Sequence, residues 1–528
     1  MNFLKKMSTR HGVFWPSYGA FFLLGGLSFF YGRDFISVLE QAKNFVFSEL
    51  DWLYAYGTLG MVIICFIIYL SPLSQIKIGG EHAKPLLNKK QWFAISLCTT
   101  VTAGIMFWAT SEPLIHMMSP PKSLGLLPGS AGAEQFALAT LFHHWSITSY
   151  AIYTIPSLAF ALAIYNLKQP FTLAAIFSPI LGQTTKRFAT FIDGACVFTL
   201  VAGFAASLGT GALTISGSFE HHFAKDSQPL ILAGITVLLV VCFTTSAMSG
   251  LIKGIRLLSN INVWLFFVIL ALIFLLGPTK QIMVSIAQAL GYFFSHYFSM
   301  STFITSRTGD PWPNQWPIFY WSSWLSWAPI TAVFLGRISY GHRIRDFIHI
   351  NLFAPSLFSC IWIGVFGGSA IFYQKLDGGL YTALSTLGPN VVSYELLGRL
   401  PFPLFLMGFF VVVTFLSYTT AADSTTDAIS ALCTKQPDGE LMAVSSNLVK
   451  LVWAVTIGFV SWILVALAGV EGMKLLSCLG GLPALFLVIG AAFSLIKMIL
   501  VDVKQDSFVR NLSADAEPDG LGFGVSRK

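Results

Sequence analysis

Leu230-Ile-Leu-Ala-Gly-Ile-Thr-Val-Leu-Leu-Val-Val-Cys-Phe-Thr-Thr-Ser-Ala-Met-Ser249 runs for 20 residues without a charged side chain. As a helix rising 1.5 Å per residue it is about 30 Å long, the thickness of a bilayer's hydrocarbon core. The same pattern recurs along the chain at 14–31, 52–70, 92–117, 136–165, 188–215, 255–276, 318–338, 348–373, 402–422, 448–467 and 475–498. A shorter stretch at 281–300 mixes Gln, Ser and His with apolar residues and reads as an amphipathic helix along the interface. Of the 528 residues 55% are hydrophobic and only 10% charged, with mean hydropathy +0.72. Soluble proteins carry about 25% charged residues, so the bilayer is the solvent for most of this chain. A soluble enzyme, a fibrous protein and a disordered one are excluded. The first apolar run follows Lys5, Lys6 and Arg10 and lacks a small-residue cleavage site, so it reads as a retained helix. The 7 cysteines are scattered through apolar runs with no CxxC or zinc spacing, and read as buried thiols.

Twelve crossings place 22 of the 31 Lys and Arg residues on one side and 9 on the other. By the positive-inside bias the richer side, which holds both termini, is cytoplasmic. The net charge of +7 is then a membrane-orientation signal and not a nucleic-acid footprint. The expected class is an all-α integral membrane protein of the cell (inner) membrane with 12 transmembrane helices. The C-tail beyond Asp502 reads as solvated.

Three spans depart from generic apolar helix. In Pro317-Ile-Phe-Tyr-Trp-Ser-Ser-Trp-Leu-Ser-Trp-Ala-Pro329, Trp321, Trp324 and Trp327 recur every third residue and share one helix face. They read either as plain packing or an interfacial belt, or as one wall of a binding site. In Phe142-His-His-Trp145-Ser-Ile-Thr-Ser-Tyr150-Ala-Ile-Tyr153, Trp145, Tyr150 and Tyr153 share one face of a helix. Rings from two facing helices make a cage for a cation that cannot donate hydrogen bonds, as quaternary ammonium cannot. His143 and His144 point different ways and read as packed residues, since no second metal-ligand cluster is visible. Glu112-Pro113 lies within an apolar run and reads either as a functional group at a helix break or as a carboxylate snorkelling to water. The glycines of Ser207-Leu-Gly-Thr-Gly211 read as close helix packing. No catalytic motif occurs.

Together these segments resemble the betaine/choline/carnitine transporter family. The resemblance is strongest over Phe319–Pro329 and Phe334-Leu-Gly-Arg-Ile-Ser-Tyr-Gly-His-Arg-Ile-Arg-Asp-Phe347, with further matches at Met106-Phe-Trp, Glu112-Pro113, His144-Trp145, Ala151-Ile-Tyr153, Ser207–Gly211, Lys253–Ser259, Phe366-Gly-Gly368 and Ala422-Asp-Ser424. It implies a leucine-transporter-type core of two inverted five-helix repeats behind two extra N-terminal helices. Its divisions here would be an N-tail (1–13), the two extra helices (14–90), the first repeat (91–277), an interfacial helix (278–315), the second repeat (316–500) and a C-tail (501–528). It also implies a homotrimer and import of choline, glycine betaine or carnitine by alternating access. An aromatic box would fall on Trp145, Tyr150, Tyr153, Trp324 and Trp327, with Trp321 on the path beside it. A second reading is a quaternary-ammonium-binding osmosensor or receptor with little transport.

Departures from the family pattern bear on the coupling ion. Trp often stands in the family where this chain has Tyr150 and Ser323. Thr100-Val-Thr-Ala-Gly104 keeps one glycine of the three in sodium-coupled members. Thr420-Ala421 replaces a Thr-Ser pair of the sodium site, and Asn262 stands where sodium-independent exchangers place Arg. Thr420 and Asn262 are thus the candidate ion-binding residues. Na+, H+ and exchange all remain open, and no other cofactor or metal is expected.

Overall fold

The computed structural model describes residues 9–100, 104–219, 228–249, 252–435 and 445–504. Residues 101–103 of the glycine-poor stretch, the side chains of the 253–259 motif and the C-tail from residue 505 lie outside the described residues. The long helices, in chain order, are α1 (His11–Leu70), α2 (Lys89–Thr100), α3 (Gly104–Met118), α4 (Ala131–Trp145), α5 (Ile147–Tyr165), α6 (Thr185–Ser216), α7 (Gln228–Ser249), α8 (Ile252–Leu276), α9 (Thr279–Ser301), α10 (Pro317–Ile338), α11 (Ala354–Asp377), α12 (Pro403–Cys433) and α13 (Asn447–Lys504). Among the described residues there is no strand, only the isolated bridges Thr9–Thr434 and Lys77–Arg343.

Seven helical stretches are long and apolar enough to cross a membrane, and the bent pair α8–α9 makes an eighth. Two of the seven contain two apolar runs each. A straight α1 of 60 residues would be about 90 Å long, so the chain turns inside it at Gly32 (φ 54°, ψ −128°), and α13 turns likewise at Gly469 (φ 55°, ψ −130°). Both glycines occupy positive-φ backbone that a Cβ disfavours. The helix at 281–300 meets α8 at 109°, with Met283, Phe294 and Phe298 exposed. Outward-facing Phe30, Leu230 and Leu404 are each more than 75% exposed, as a lipid-facing surface requires.

The fourth apolar run is not one helix. It breaks at Ser146 (φ −125°, ψ −120°), between α4 and α5. The wheel argument that put Trp145 on one face with Tyr150 and Tyr153 assumed continuity, and that assumption fails here. Helix α4 starts cleanly, with the Ser130 hydroxyl accepting from Ala133 N at 3.2 Å.

Helix ends sort into two bonded sets. In one, Arg10 meets Cys433 and Asp193, Ile78 meets His342, and Asn166 meets Gly79. In the other, Asp310 meets Ser123, Asp51 meets Ser306, Lys375 meets Glu134 and Lys43 meets Glu471. Each contact joins stretches that the alternating reading of the sequence assigns to the same side.

In the centre α10 lies against α5, α6 and α13, while α3 lies against α4 and α11. Glycines set how close they come. A Cβ on Gly481 would stand 1.9 Å from Ser322 Oγ, and one on Gly203 would stand 2.5 Å from Ser326 Oγ. Gly209 and Gly211 abut Val465 and Tyr418, which is the close-packing role expected of that run.

Candidate functional site

The break at Ser146 turns two short helix ends toward the middle of α10. Trp324 is the common contact. Its ring centroid lies 5.5 Å from Trp145, 5.5 Å from Tyr150 and 5.1 Å from Tyr153, with interplanar angles of 77°, 63° and 61°. All four rings are 5% exposed or less. Trp324 is held by its indole N–H, which donates to His144 O at 3.0 Å across the break. The Tyr150 hydroxyl pairs with Ser359 Oγ at 2.9 Å, whereas the buried Tyr153 hydroxyl has no hydrogen-bond partner.

The other two tryptophans of the i, i+3, i+6 series leave this group. Trp321 packs edge-on against His143, centroids 5.1 Å apart. Trp327 is half-buried, with its nearest ring neighbour Phe204 of α6 at 6.4 Å. On the ion candidates, Asn262 Oδ1 accepts from Ser417 Oγ at 3.1 Å, while the Thr420 hydroxyl donates to Leu416 O of its own helix at 2.7 Å. A cavity of about 220 Å3 lies elsewhere, between the ends of α6 and α7, Pro389 and Gly469.

Beside the rings stands a polar cluster that the sequence showed only in part. Glu112 is fully buried and accepts four hydrogen bonds. Its Oε1 receives His116 Nε2 at 3.1 Å and His144 Nδ1 at 2.7 Å. Its Oε2 receives Trp145 Nε1 at 3.4 Å and the Tyr320 hydroxyl at 2.5 Å. Glu112 therefore does not snorkel to water. Around it lie Trp108, Trp312 and Trp316, with His116 4.6 Å from Trp316. Lys474 places its ammonium 4.8 Å from the Trp316 ring and pairs with Glu471 at 3.0 Å.

The sequence signal was present at a different period. Trp108, Glu112 and His116 recur every fourth residue on α3, and Trp316, Tyr320 and Trp324 do so along α10, so each set forms one face. No spacing rule connects Glu112 to His144 or brings Lys474 into electrostatic range of it; that proximity exists only in the fold.

His144 is not isolated from other ligand types, contrary to the reason given for setting it aside. The donor atoms of Glu112, His116 and His144 lie within 4.8 Å of one another. Their geometry is that of hydrogen bonds. A separation of 2.7 Å is shorter than the ~3.3 Å between two ligands held about 2 Å from one tetrahedral ion. Metal-bound histidines also donate their second nitrogen to an orienting acceptor, and here His116 Nδ1 and His144 Nε2 have no protein partner. The cluster is arranged as a buried hydrogen-bond network.

Loop residues seal it from one end. Asp310 accepts from Ser123 N and Oγ, both at 2.9 Å, and from Trp312 N at 3.0 Å. Burial pushes its carboxyl upward, but these hydrogen bonds outweigh that and hold it below the usual aspartate value.

A model of the betaine/carnitine/choline family of transporters matches residues 12–504. The chain belongs to that family. It is a multi-pass membrane transporter and not an enzyme. Among its relatives is an ectoine/hydroxyectoine transporter of Virgibacillus pantothenticus, 28% identical over 93% of this chain and 97% of the relative. Another is the glycine betaine transporter OpuD of Bacillus subtilis, 29% identical over 85% of this chain and 86% of the relative. The high-affinity choline transport protein of Escherichia coli is 27% identical over 97% of this chain and 75% of the relative. All three are described as transport proteins, which does not favour the osmosensor reading of the transporter.

Proposed function

We propose that the transporter imports a small quaternary ammonium compound (choline, glycine betaine or carnitine) by alternating access, and that Trp145, Tyr150, Tyr153 and Trp324 hold its headgroup. The observation that carries this reading is the contact of Trp324 with all three rings of the α4–α5 break. Two rings that face one cation from 4.5–5 Å, with planes inclined at these angles, stand about 4.5 to 6 Å apart. The observed separations of 5.1–5.5 Å fit. Trp321 and Trp327, one turn to either side of Trp324, belong to the path into and out of the cage.

The surrounding assembly in this reading has twelve crossings, with both termini in the cytoplasm, a five-plus-five inverted-repeat core behind two added helices, and a trimer of identical chains. The segregation of loop contacts into two sets supports the alternation. The excess of Lys and Arg on the set containing Arg10 supports its cytoplasmic side.

Uptake of labelled choline, glycine betaine, carnitine and ectoine into cells lacking their own transporters tests the substrate class. One desolvated cation–π contact is worth about 2 kcal/mol, or about 30-fold in affinity. Trp324→Ala should therefore raise the concentration that half-saturates uptake of the preferred substrate by about 30-fold. Full activity in a Trp324→Ala, Trp327→Ala double variant would remove the cage from the mechanism.

A further inference from the structure

We propose that Glu112, His116 and His144 form the transporter's proton-binding site, and that Trp145 carries its occupancy to the substrate cage. This rests on the transport reading above and names the coupling ion for it.

Four donors already fill the acceptor positions of Glu112, so the carboxylate has no free edge to offer a substrate cation. With Glu112 ionised, His116 donates from Nε2 and His144 from Nδ1. Their opposite nitrogens then carry bare lone pairs, both buried and both without a partner among the described residues. A purely structural network closes such ends. This one leaves two basic atoms beside a carboxylate, which is a place to hold one proton. Tyr320 extends the chain of exchangeable hydrogens on α10.

Groups facing the cluster come from every neighbouring element. From α4, His143 turns aside to Ser301 Oγ at 3.0 Å. From α10 comes Tyr320. From α13, Lys474 lies within electrostatic range of both Glu112 and His116. Its charge is offset by Glu471, which also pairs with Lys43 of α1 at 3.0 Å. Two lysines share the single Glu471, so this ion-paired group keeps a net charge of +1, and the charge that changes with proton occupancy resides on Glu112 and the two imidazoles.

The link to the cage is direct. Trp145 donates to Glu112 and packs on Trp324, while Trp324 donates to the carbonyl of His144. A proton taken up at the bare nitrogen of either histidine is relayed, by loss of the hydrogen on that ring's other nitrogen, to Glu112 Oε1, and the neutral carboxyl accepts more weakly at both oxygens. The bond to Trp145, at 3.4 Å the longest of the four, is the first to give. The indole is then free to turn against Trp324, so proton and substrate bind as coupled ligands. Linkage requires that substrate alter proton affinity by the same factor as proton alters substrate affinity.

The test uses the full-length protein in liposomes in sodium-free potassium buffer, with choline and glycine betaine as probes. An inward proton gradient should drive accumulation. Substrate counterflow should change by about tenfold between about pH 5 and about pH 8, where imidazoles ordinarily titrate. Glu112→Gln should lose accumulation driven by the gradient, and whatever counterflow it retains should be flat across that range. Should Glu112→Gln fail to assemble, His116→Gln carries the same comparison. Sodium-dependent accumulation that ignores the proton gradient overturns the proposal, as does gradient-driven accumulation in Glu112→Gln or one zinc ion per chain in the purified protein. If neither probe is transported by the unsubstituted protein, the substrate reading fails, and the proton site is read on its own by infrared difference spectra. A carboxyl band that titrates and disappears in Glu112→Gln upholds it, and absence of that band overturns it.

Discussion

Tyr150 and Tyr153 present the same ring to Trp324 and differ only in what their hydroxyls meet. Tyr150 is tied to Ser359, whereas Tyr153 ends on a buried oxygen with no partner. An unmet buried hydroxyl costs about 1–3 kcal/mol, so a ligand that supplies a hydrogen bond recovers that cost. Tyr150→Phe should lower thermal stability, because it leaves Ser359 unpaired, and change substrate affinity little. Tyr153→Phe should leave stability equal or higher and weaken binding about tenfold for a substrate whose polar end reaches that oxygen. Thermal melts and equilibrium binding on the two purified variants separate the roles; the opposite pattern would place the polar end of the substrate at Tyr150. The sequence made both rings visible as site candidates. It gave no means of distinguishing their hydroxyls, because Ser359 lies on α11, about two hundred residues away. Glu112 shows the same limit more sharply. Its apolar surroundings marked it as unusual, and His116 one turn later was within reach of a helical-spacing argument. His144, Trp145 and Tyr320 join it only because α3, α4 and α10 converge.

Elements as units were more legible than their interruptions. The apolar runs at 188–215, 230–249 and 318–338 lie within α6, α7 and α10, because hydrocarbon demands continuous intrahelical bonding whatever the details of packing. The break at Ser146 was missed for a physical reason: neither Gly nor Pro stands there, and the polar residues beside it, His143, His144, Thr148 and Ser149, can all sit in a continuous helix. What opens the helix is tertiary, the meeting of α4 and α5 with α10. The loop between α9 and α10 depends on one carboxylate in the same way. Asp310 ties that loop to Ser123 and fixes Trp312 over His116. Because its carboxyl is held below the unfolded value of about 4, its contribution is fully present above that pH. The contribution is lost as pH falls through the lower folded value. Asp310→Ala should therefore destabilise the protein by about 2 kcal/mol at neutral pH, with the difference from the unsubstituted protein shrinking under strong acid. A stability difference that persists undiminished at low pH would assign the effect to packing. Gly481 governs the approach of α13 to α10 by sterics alone. Gly481→Ala forces a methyl group onto Ser322 and should cost about 1–3 kcal/mol, independent of pH.

At the scale of the whole molecule, the distribution of charge bears on sidedness. The alternating reading places 22 of 31 basic residues on the face that holds Arg10, and the positive-inside bias makes that face the one expected in the cytoplasm. Contacts between distant loops agree with the alternation without having entered it. Ile78 bonds His342, and Asn166 bonds the backbone at Lys77 and Gly79, all within one set. Lys375 reaches Glu134, and Asp310 reaches Ser123, within the other. An odd error in the number of crossings would have thrown some of these partners to opposite sides of a bilayer, where no side chain could join them. Exposed positions on each face make the orientation measurable. Glu81 lies in the first set and Leu127, 74% exposed, in the second. Among the native thiols Cys65, Cys196, Cys360, Cys433 and Cys478 are buried and Cys242 is half-buried, so these offer little background. A membrane-impermeant thiol reagent should therefore label Leu127→Cys in intact cells, and Glu81→Cys only after the membrane is opened. The reverse order would invert the molecule in the membrane and turn the Asp310 loop, with the Glu112 cluster beneath it, toward the cytoplasm. Protons would then reach the cluster past the Asp310 loop from the cytoplasm, while an inward proton gradient would still drive import, because proton and substrate cross together as coupled ligands.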